Sequence, residues 1–254
     1  MRVVIAIVLL LVAGCDRPAQ TDSAGSASAL GKSPCETRFF EGDRFTLCPA
    51  RNGRIEIVTG DASGLPYRSF SSLEAALGKR AARVHFAMNA GMFDEEGRAI
   101  GFLVEDGKQL HKINRRSGGG NFGLVPNGVF LIRDDGTAHV VETEQFEAAD
   151  DIAFASQSGP MLVIDGDLHP AFEPDGQSRN IRNGVGIAPS GAAVFAISEE
   201  PVSFGKFARL FKDHVKARNA LYFDGSVSSL WDPGNARRDS AAPIGPMVVV
   251  FRKR

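Results

Sequence analysis

Short apolar runs that end at Asp-Gly pairs constrain the fold of this chain more than any other feature. Four such pairs stand at 106–107, 135–136, 165–166 and 224–225, each close behind a short apolar run, and Arg54–Thr59 alternates polar and apolar residues. Alternation is typical of a half-buried strand, and an Asp-Gly pair between two such runs favours a tight hairpin. The sequence therefore predicts many short strands joined by hairpins.

Two stretches have the periodicity of a helix instead. Ser71-Ser72-Leu73-Glu74 has the spacing of a capping box, and Gly78 supplies a stop. Ser203 precedes an amphipathic stretch that places phenylalanines on one face. A short helix is also expected at 147–154, and a short strand at 122–125. Together these elements predict an α+β fold, a single mixed, antiparallel-rich sheet domain with helices packed on it.

Residues 1–14 are interpreted as a lipoprotein signal peptide. Arg2 precedes an apolar run from Val3 to Val12, which is too short to span a bilayer of roughly 30 Å as a helix. Val12-Ala13-Gly14-Cys15 resembles a lipobox, in which Cys15 is acylated, and several acyl chains give stable anchoring. Ordinary signal-peptide cleavage is the alternative. We therefore expect an exported protein of the bacterial cell envelope, held to the membrane through its N-terminal lipid and facing the periplasm.

Residues 15–33 are predicted to be a flexible tether, and residues 34–254 a single domain. The tether is rich in Ser, Ala, Gly, Thr and Pro and has almost nothing apolar enough to join a core. The remainder is long enough to bury one sizeable core. The chain's 29 Lys and Arg residues nearly balance its 30 Asp and Glu residues. The sequence therefore has no excess of positive charge that would attract a polyanion, and nucleic acid is not expected as a partner.

Cys35 and Cys48 are the two cysteines that follow Cys15. In an exported protein an even pair is most simply a disulfide, and we expect these two residues to be bonded. No histidine lies nearby, which disfavours a metal site at this pair.

The run Leu221-Tyr222-Phe223 is a predicted buried strand that stops at Asp224-Gly225. Function often sits where a strand opens into a loop. Asp224 would place a carboxylate at the rim of a sheet, Gly225 would let backbone approach a ligand, and the hydroxyls of Ser228 and Ser229 could bind it. A plain Asp-Gly turn with solvated serines is the alternative.

A second predicted strand, Ala82 to Met88, runs into Asn89-Ala90-Gly91-Met92-Phe93-Asp94. Asn89 can donate and accept hydrogen bonds, which suits recognition of hydroxyl or phosphate groups, and Asp94 can act as acid, base or ligand. The structural alternatives are a left-handed turn at Asn89 and a capping role for Asp94.

Taken in order, these and other stretches resemble the phosphodiester glycosidase family over roughly residues 54 to 251. The stretches are Asn89–Asp94 with Gly101, Gln157–Pro160, Arg182–Gly186, the helix that follows Ser203, and Leu221–Ser226. Ala90 and Met92 depart from the family's usual Asn-Gly-Gly-Phe-Phe, and Ser226 replaces the second glycine of its usual Asp-Gly-Gly. A serine there adds a side chain where a substrate could otherwise lie against backbone.

The resemblance implies hydrolysis of a sugar-1-phosphodiester at the anomeric carbon, in an envelope glycan or a related metabolite. Glycosidic cleavage commonly uses two carboxyl groups, and Asp224 and Asp94 are the catalytic candidates. Arg182 would neutralise phosphate, since its planar fork of donors matches that group. Glu199 and Glu200 are held in reserve. The implied substrate-binding residues are Asn89, Gly91, Gln157, Ser158, Arg182, Gly225, Ser228 and Ser229.

Two other functions stay open at this stage. One is a non-catalytic envelope lipoprotein that binds an anionic glycan, which Ser226 favours. The other is a metal-dependent phosphodiesterase, with an oxygen-ligand divalent metal at Asp224 or Asp94. No cofactor is assigned. We expect Asn89, Asp94, Arg182 and Asp224 to converge on one pocket, because strand ends of one sheet lie together.

Overall fold

Antiparallel strands dominate the computed structural model, which describes residues 32–253. The predicted signal peptide, Cys15 and nearly all of the predicted tether lie outside the described residues. In chain order the strands are β1 (Glu36–Phe40), β2 (Asp43–Pro49), β3 (Gly53–Val58), β4 (Val84–Asn89), β5 (Leu103–Glu105), β6 (Lys108–His111), β7 (Gly128–Arg133), β8 (Ala138–Glu142), β9 (Ile152–Ser158), β10 (Met161–Ile164), β11 (Asp167–Leu168), β12 (Asn183–Ile187), β13 (Ala193–Ser198), β14 (Ala220–Tyr222), β15 (Leu230–Asp232), β16 (Arg237–Arg238) and β17 (Met247–Arg252).

These strands form three sheets. Sheet I has the order β1-β2-β13-β12-β14-β10-β11, sheet II the order β16-β15-β4-β17-β3, and sheet III the order β6-β5-β9-β7-β8. Every pairing between these strands is antiparallel. The prediction of an antiparallel-rich α+β fold is confirmed.

The main core lies where the three sheets face one another. Phe195 of sheet I is its centre, with ring centroids 5.4 Å from Phe86 of sheet II and 5.6 Å from Phe130 of sheet III. All three side chains are fully buried. Edge-to-face pairs of this kind add about 0.5–1.5 kcal/mol each beyond the burial of apolar area, so they fix how the sheets pack together.

Two helices cover outer faces of the sheets. α1 (Phe70–Leu77) buries Phe70 and Leu73 in a cluster with residues of sheet II, and a third, single-turn helix, α2, spans Gly120–Gly123. α3 (Phe204–Arg209) continues into a π-helical segment, Leu210–Val215, and Phe207 stacks on Phe45 of sheet I. The expected packing of helices on sheet is therefore present.

Three local predictions differ from the structure. The N-cap of α1 is Ser69, whose hydroxyl accepts from the backbone N–H of Ser72, so the helix begins two residues earlier than the Ser71 capping box predicts. Residues 147–151 form no helix and β9 begins at Ile152, because apolar residues there pair with β7. The strand expected at 122–125 is wrong, since Phe122 lies in α2.

A disulfide fixes the beginning of the described chain. Cys35 and Cys48 are bonded, as predicted, and both are buried. Just before it, the hydroxyl of Ser33 donates to the Asp232 carboxylate at 2.8 Å. A Cβ added at Gly234 would lie 2.7 Å from the backbone nitrogen of Ser33, so the close approach at this point depends on a glycine.

Candidate active site

Four strand ends meet where sheets I and II adjoin. β4 ends at Asn89 and β15 begins just after Ser229, both in sheet II. β12 begins at Asn183 and β14 ends just before Phe223 and Asp224, both in sheet I. Residues that are distant in sequence therefore come together at one junction.

Asn89 links the two sheets. Its side-chain oxygen accepts from the backbone N–H of Ser229 at 2.8 Å and from the amide of Asn183 at 2.9 Å. Its side-chain nitrogen donates to the backbone carbonyl of Asp224 at 2.8 Å. Ser228 completes the network, since its hydroxyl donates to Asn183 at 3.2 Å. Asn89 is 1% exposed, so it holds the turn in place from the interior of the domain.

Asp224 is the carboxylate of this junction and is half-buried. Its side chain caps the short turn Gly225–Val227 by accepting from the backbone N–H of Ser226 at 3.0 Å. Burial raises the pKa of the Asp224 carboxyl, and the hydrogen bond from Ser226 offsets only part of that effect. The site thus contains a carboxyl group that takes up a proton more readily than an exposed aspartate.

Tyr222 connects that turn to Arg182. The Tyr222 hydroxyl accepts from the backbone N–H of Gly225 and lies 3.5 Å from Arg182 Nη1. A Cβ at position 225 would lie 1.8 Å from the same hydroxyl, so only glycine fits. Burial raises the pKa of Tyr222 to about 12, while the charge of Arg182 acts in the opposite direction. The phenol therefore stays neutral and holds the turn against the arginine.

Arg182 is a buried cation without an acidic partner. Its side chain is 0% exposed, and within residues 32–253 it forms no ion pair. Nε donates to the carbonyl of Val202 at 2.8 Å and Nη2 to that of Ser178 at 2.7 Å. The guanidinium carbon lies 3.5 Å from the ring centroid of Phe204. Burial lowers the pKa of Arg182, although arginine stays charged in proteins.

A buried charge is costly unless it is paired. Here the donors on Nε and Nη2 are used by carbonyls, whereas Nη1 has only the long contact with Tyr222. The under-used donor is therefore the one beside the Asp224 turn.

Asp94 lies in a turn of its own. Its carboxylate accepts from the backbone N–H of Arg98 at 2.8 Å and pairs with the Arg98 guanidinium at 2.9 Å. Burial raises the pKa of Asp94, but the hydrogen bonds from Arg98 outweigh it, and the net shift is downward. No hydrogen bond or ion pair among the described residues joins Asp94 to Asp224 or Arg182. Asn89 is thus hydrogen-bonded directly to Asp224, whereas Arg182 reaches the Asp224 turn only through Tyr222. That the four residues expected to converge share one pocket stays a prediction.

Three further predicted substrate-binding residues are Gly91, Gln157 and Ser158. Gly91 and Gln157 form hydrogen bonds within the protein, and the Ser158 hydroxyl forms none with the described residues. Gly91 donates its N–H to the Ser156 hydroxyl at 3.1 Å. The amide of Gln157 is fully engaged with Phe102, Asn114 and Thr143. Ser158 is 0% exposed and its hydroxyl has no partner in the structure. Alternation along β9 places Ser158 on the same face as Ser156, beside the segment that follows Asn89.

The reserve acids are held in other ion pairs. Glu199 pairs with Arg237 at 2.6 Å and Glu200 with Arg44 at 2.6 Å. Within the part of the chain that the structure describes, no group of three or more His, Cys, Asp or Glu side chains is placed to hold a metal ion. No helix of this part is long and apolar enough to cross a membrane.

Sequence patterns do not single out two residues of the junction. Asn183 stands in the Arg182–Gly186 motif without a predicted role of its own, and Tyr222 is predicted only to lie in a strand. Both act through contacts made after folding, the first with Asn89 and the second with Arg182. A polar residue inside an apolar strand, as at Tyr222, is the signal that could have identified it.

Comparison with solved structures finds the same fold in other proteins. The catalytic domain of zebrafish N-acetylglucosamine-1-phosphodiester alpha-N-acetylglucosaminidase, auto-inhibited by its pro-peptide, superposes with a TM-score of 0.58 at 16% identity, covering 87% of this chain and 82% of that one. A putative exported protein from Burkholderia pseudomallei gives a TM-score of 0.58 at 10% identity, covering 88% and 76%. At these identities the likeness shows a shared fold.

Sequence comparison shows the family. The profile described as "Phosphodiester glycosidase" matches residues 82–251. The uncharacterized protein YigE of Escherichia coli (strain K12) is 35% identical over 209 residues, which cover 82% of this chain and 81% of YigE. This chain belongs to the phosphodiester glycosidase family. Membership supports a hydrolase-type role.

Proposed function

We propose that this protein is an exported hydrolase that cleaves a sugar-1-phosphodiester at the glycosidic C–O bond. The observation that carries the proposal is the buried, unpaired guanidinium of Arg182, linked through Tyr222 to the turn of Asp224. A phosphodiester carries one negative charge, so it could serve as the anionic partner that Arg182 lacks. The name of the zebrafish relative, a sugar-1-phosphodiester glycosidase, and the shared family support the same substrate class.

In this proposal Asp224 is the essential carboxyl. Burial raises the pKa of the Asp224 carboxyl, so it is protonated more readily than an exposed aspartate, which suits donation of a proton to the leaving phosphate oxygen as the anomeric C–O bond breaks. Asp94, whose pKa is lowered by Arg98, is the second carboxylate and is suited to act as a base. Because no hydrogen bond or ion pair among the described residues joins Asp94 to Asp224, this second role requires substrate to bridge the two turns.

The remaining residues divide into two groups in this proposal. Ser226 is exposed, so its hydroxyl faces the substrate, whereas the Ser228 hydroxyl is directed inward to Ile181 and Asn183. Asn89, Ser229 and Gly225 are buried and hold the Asp224 turn. Arg182 binds phosphate through Nη1 once the anion displaces or joins the Tyr222 hydroxyl. Gly91, Gln157 and Ser158 support the floor beneath Asn89.

The decisive experiment uses the full chain in detergent with a synthetic sugar-1-phosphodiester in ¹⁸O-labelled water. We expect turnover that is lost in Asp224→Asn, with the label in the sugar. Label in the phosphate would instead identify a phosphodiesterase that cuts P–O. Tight binding without turnover across a panel of sugars would identify a glycan-binding lipoprotein.

The location in the cell is a separate part of the proposal. We propose that residues 1–14 are removed and that Cys15 carries lipid, so the domain faces the periplasm. The intact mass of the membrane-extracted protein should include the added mass of the acyl chains. The Cys15→Ala variant should be found in the soluble fraction and not in the membrane fraction. A Cys15→Ala variant that stays membrane-bound would count against the lipid anchor.

A further inference from the structure

A cleft of about 1030 Å³ lies away from the Asp224 turn. Its floor is the outer edge of β3, with five of its six residues along the lining. One wall is formed by α1 and the 3₁₀ segment Gly78–Arg83. The opposite wall is formed by sheet III, through Glu105–Asp106 and the turn Arg133–Gly136. No residue of the Asp224 junction lines this cleft.

The floor is a strand with one free side. β3 is the last strand of sheet II and pairs only with β17. Within residues 32–253, the backbone groups of Arg54–Val58 form no hydrogen bonds outside that pairing. An edge strand presents a row of unpaired N–H and C=O groups, which another extended chain can satisfy. The walls leave room along this edge, and a groove between an edge strand and a helix is a known geometry for adding a peptide strand.

The acidic side chains of the cleft that have no basic partner among the described residues lie on the sheet III wall. Five basic and five acidic residues line the cleft, so the lining as a whole is balanced. Glu56 pairs with both Arg54 at 2.9 Å and Arg80 at 2.5 Å, and Arg133 pairs with Asp151 outside the cleft. Within residues 32–253 the lining acids that form no ion pair are Glu105, Asp106, Asp134 and Asp135, and the lining cations that form none are Arg83 and Lys253. The sheet III wall is therefore locally acidic and favours a cationic side chain.

Glu105 occupies the end of the cleft near Thr59, whose hydroxyl donates to it at 2.9 Å. It is otherwise held by no basic side chain among the described residues. Burial raises the pKa of Glu105, so a cation placed there would stabilise the ionised form. This end of the cleft therefore suits a lysine or arginine side chain.

We propose that this cleft binds an extended, lysine- or arginine-bearing peptide segment, which pairs with β3 as a sixth strand of sheet II. Main-chain hydrogen bonds along the edge of β3 give affinity, and Glu105 with Asp106 selects the cationic side chain. The site is separate from the Asp224 junction. The inference therefore goes beyond the proposed hydrolase activity and does not depend on it.

The test titrates the full chain with the peptide acetyl-Thr-Lys-Val-Lys-Val-Thr-amide. We expect a Kd below about 1 mM by calorimetry and slower hydrogen exchange at alternate backbone amides of Arg54–Val58. The same peptide with proline at the central valine should lose binding at least about tenfold, because proline removes a ladder donor. Replacing its lysines with glutamates should weaken it by a similar factor.

Matched variants of the protein locate the site. Glu105→Gln combined with Asp106→Asn should weaken binding about fivefold or more, whereas Glu95→Gln, on an exposed turn elsewhere, should leave it unchanged. No binding of the lysine peptide, equal binding of the proline peptide, or preference for the glutamate peptide overturns the proposal. So does full protection of the β3 amides in the chain alone, which would mean that another segment of the chain already occupies the edge.

Discussion

The side chain of Asn89 donates to the backbone carbonyl of Asp224 at 2.8 Å across 135 positions of sequence. The same side chain receives the N–H of Ser229 and the amide of Asn183. One buried asparagine therefore sets the position of the turn that carries the candidate catalytic carboxyl.

Asn89→Ala should cost about 2–3 kcal/mol of unfolding free energy, because it leaves buried groups of Asn183, Ser229 and Asp224 without partners. Urea denaturation measures the change. Asn180→Ala, at an exposed position, is the matched control and should stay within about 0.5 kcal/mol. An Asn89→Ala variant as stable as this control would show that water replaces the network.

Asp224→Asn should abolish turnover and raise thermal stability. Because burial raises the folded-state pKa of Asp224, the ionised carboxylate costs stability as pH rises through that value. The gap in Tm between variant and wild type should be near zero at about pH 4 and open towards pH 8. A gap of about 2–4 °C corresponds to about 1 kcal/mol for a domain of this size. A gap that does not change with pH would argue against an unfavourable buried charge.

Tyr222→Phe should lower kcat/KM for a sugar-1-phosphodiester about tenfold. The ring and its contact with Phe204 remain, while Arg182 Nη1 and the N–H of Gly225 lose their shared partner. Tyr67→Phe is the matched control, since Tyr67 is the other tyrosine of the chain and lines the distant cleft. Equal activity of the two variants would remove Tyr222 from the site.

Gly225→Ala should destabilise the protein by about 1–3 kcal/mol, because its Cβ would lie 1.8 Å from the Tyr222 hydroxyl. Gly118→Ala, where the added Cβ meets nothing within 4 Å, should have little effect. Thermal melts of both variants measure the difference. Comparable melting temperatures would mean that Tyr222 moves aside easily.

Replacing Cys35 and Cys48 with alanine should lower the unfolding free energy by about 3 kcal/mol, the chain-entropy value for a loop of this length. Reductant should destabilise the wild-type protein and leave the double variant unchanged. Chemical denaturation with and without reductant gives both numbers. A wild-type protein unaffected by reductant under denaturing conditions would show that the bond does not form.

The sequence predicted the local parts of this fold well. Asp106-Gly107 and Asp165-Gly166 adopt the left-handed backbone that hairpin turns require, with φ of 49° and 48° at the two aspartates. The prediction of a helix at 147–154 is wrong. The end of this stretch belongs to β9, which pairs with β7, and no local sequence pattern indicates that long-range pairing. Strand type near a sheet centre is decided by tertiary contacts.

The sequence predicts which residues of the candidate site lie at strand ends, but not which side chains they contact. Asn89 and Asp224 follow apolar runs, so their positions at strand ends could be read from the chain. The partners of Arg182 could not, because Tyr222 and Phe204 reach it only through packing of β14 and α3. The ion pair of Asp94 with Arg98, four residues on, is local and explains why Asp94 stands apart.

If lipid on Cys15 anchors the protein, as proposed, the bond between Cys35 and Cys48 determines how a pull on the anchor reaches the domain. Tension applied through Ser33 reaches Cys35 and passes directly through sulfur to Cys48 on β2. The intervening hairpin of β1 and β2 is bypassed and carries no load. Since β2 is itself paired with β13, the pull is shared by the interior of sheet I, and edge strand β1 cannot be peeled away from its neighbour.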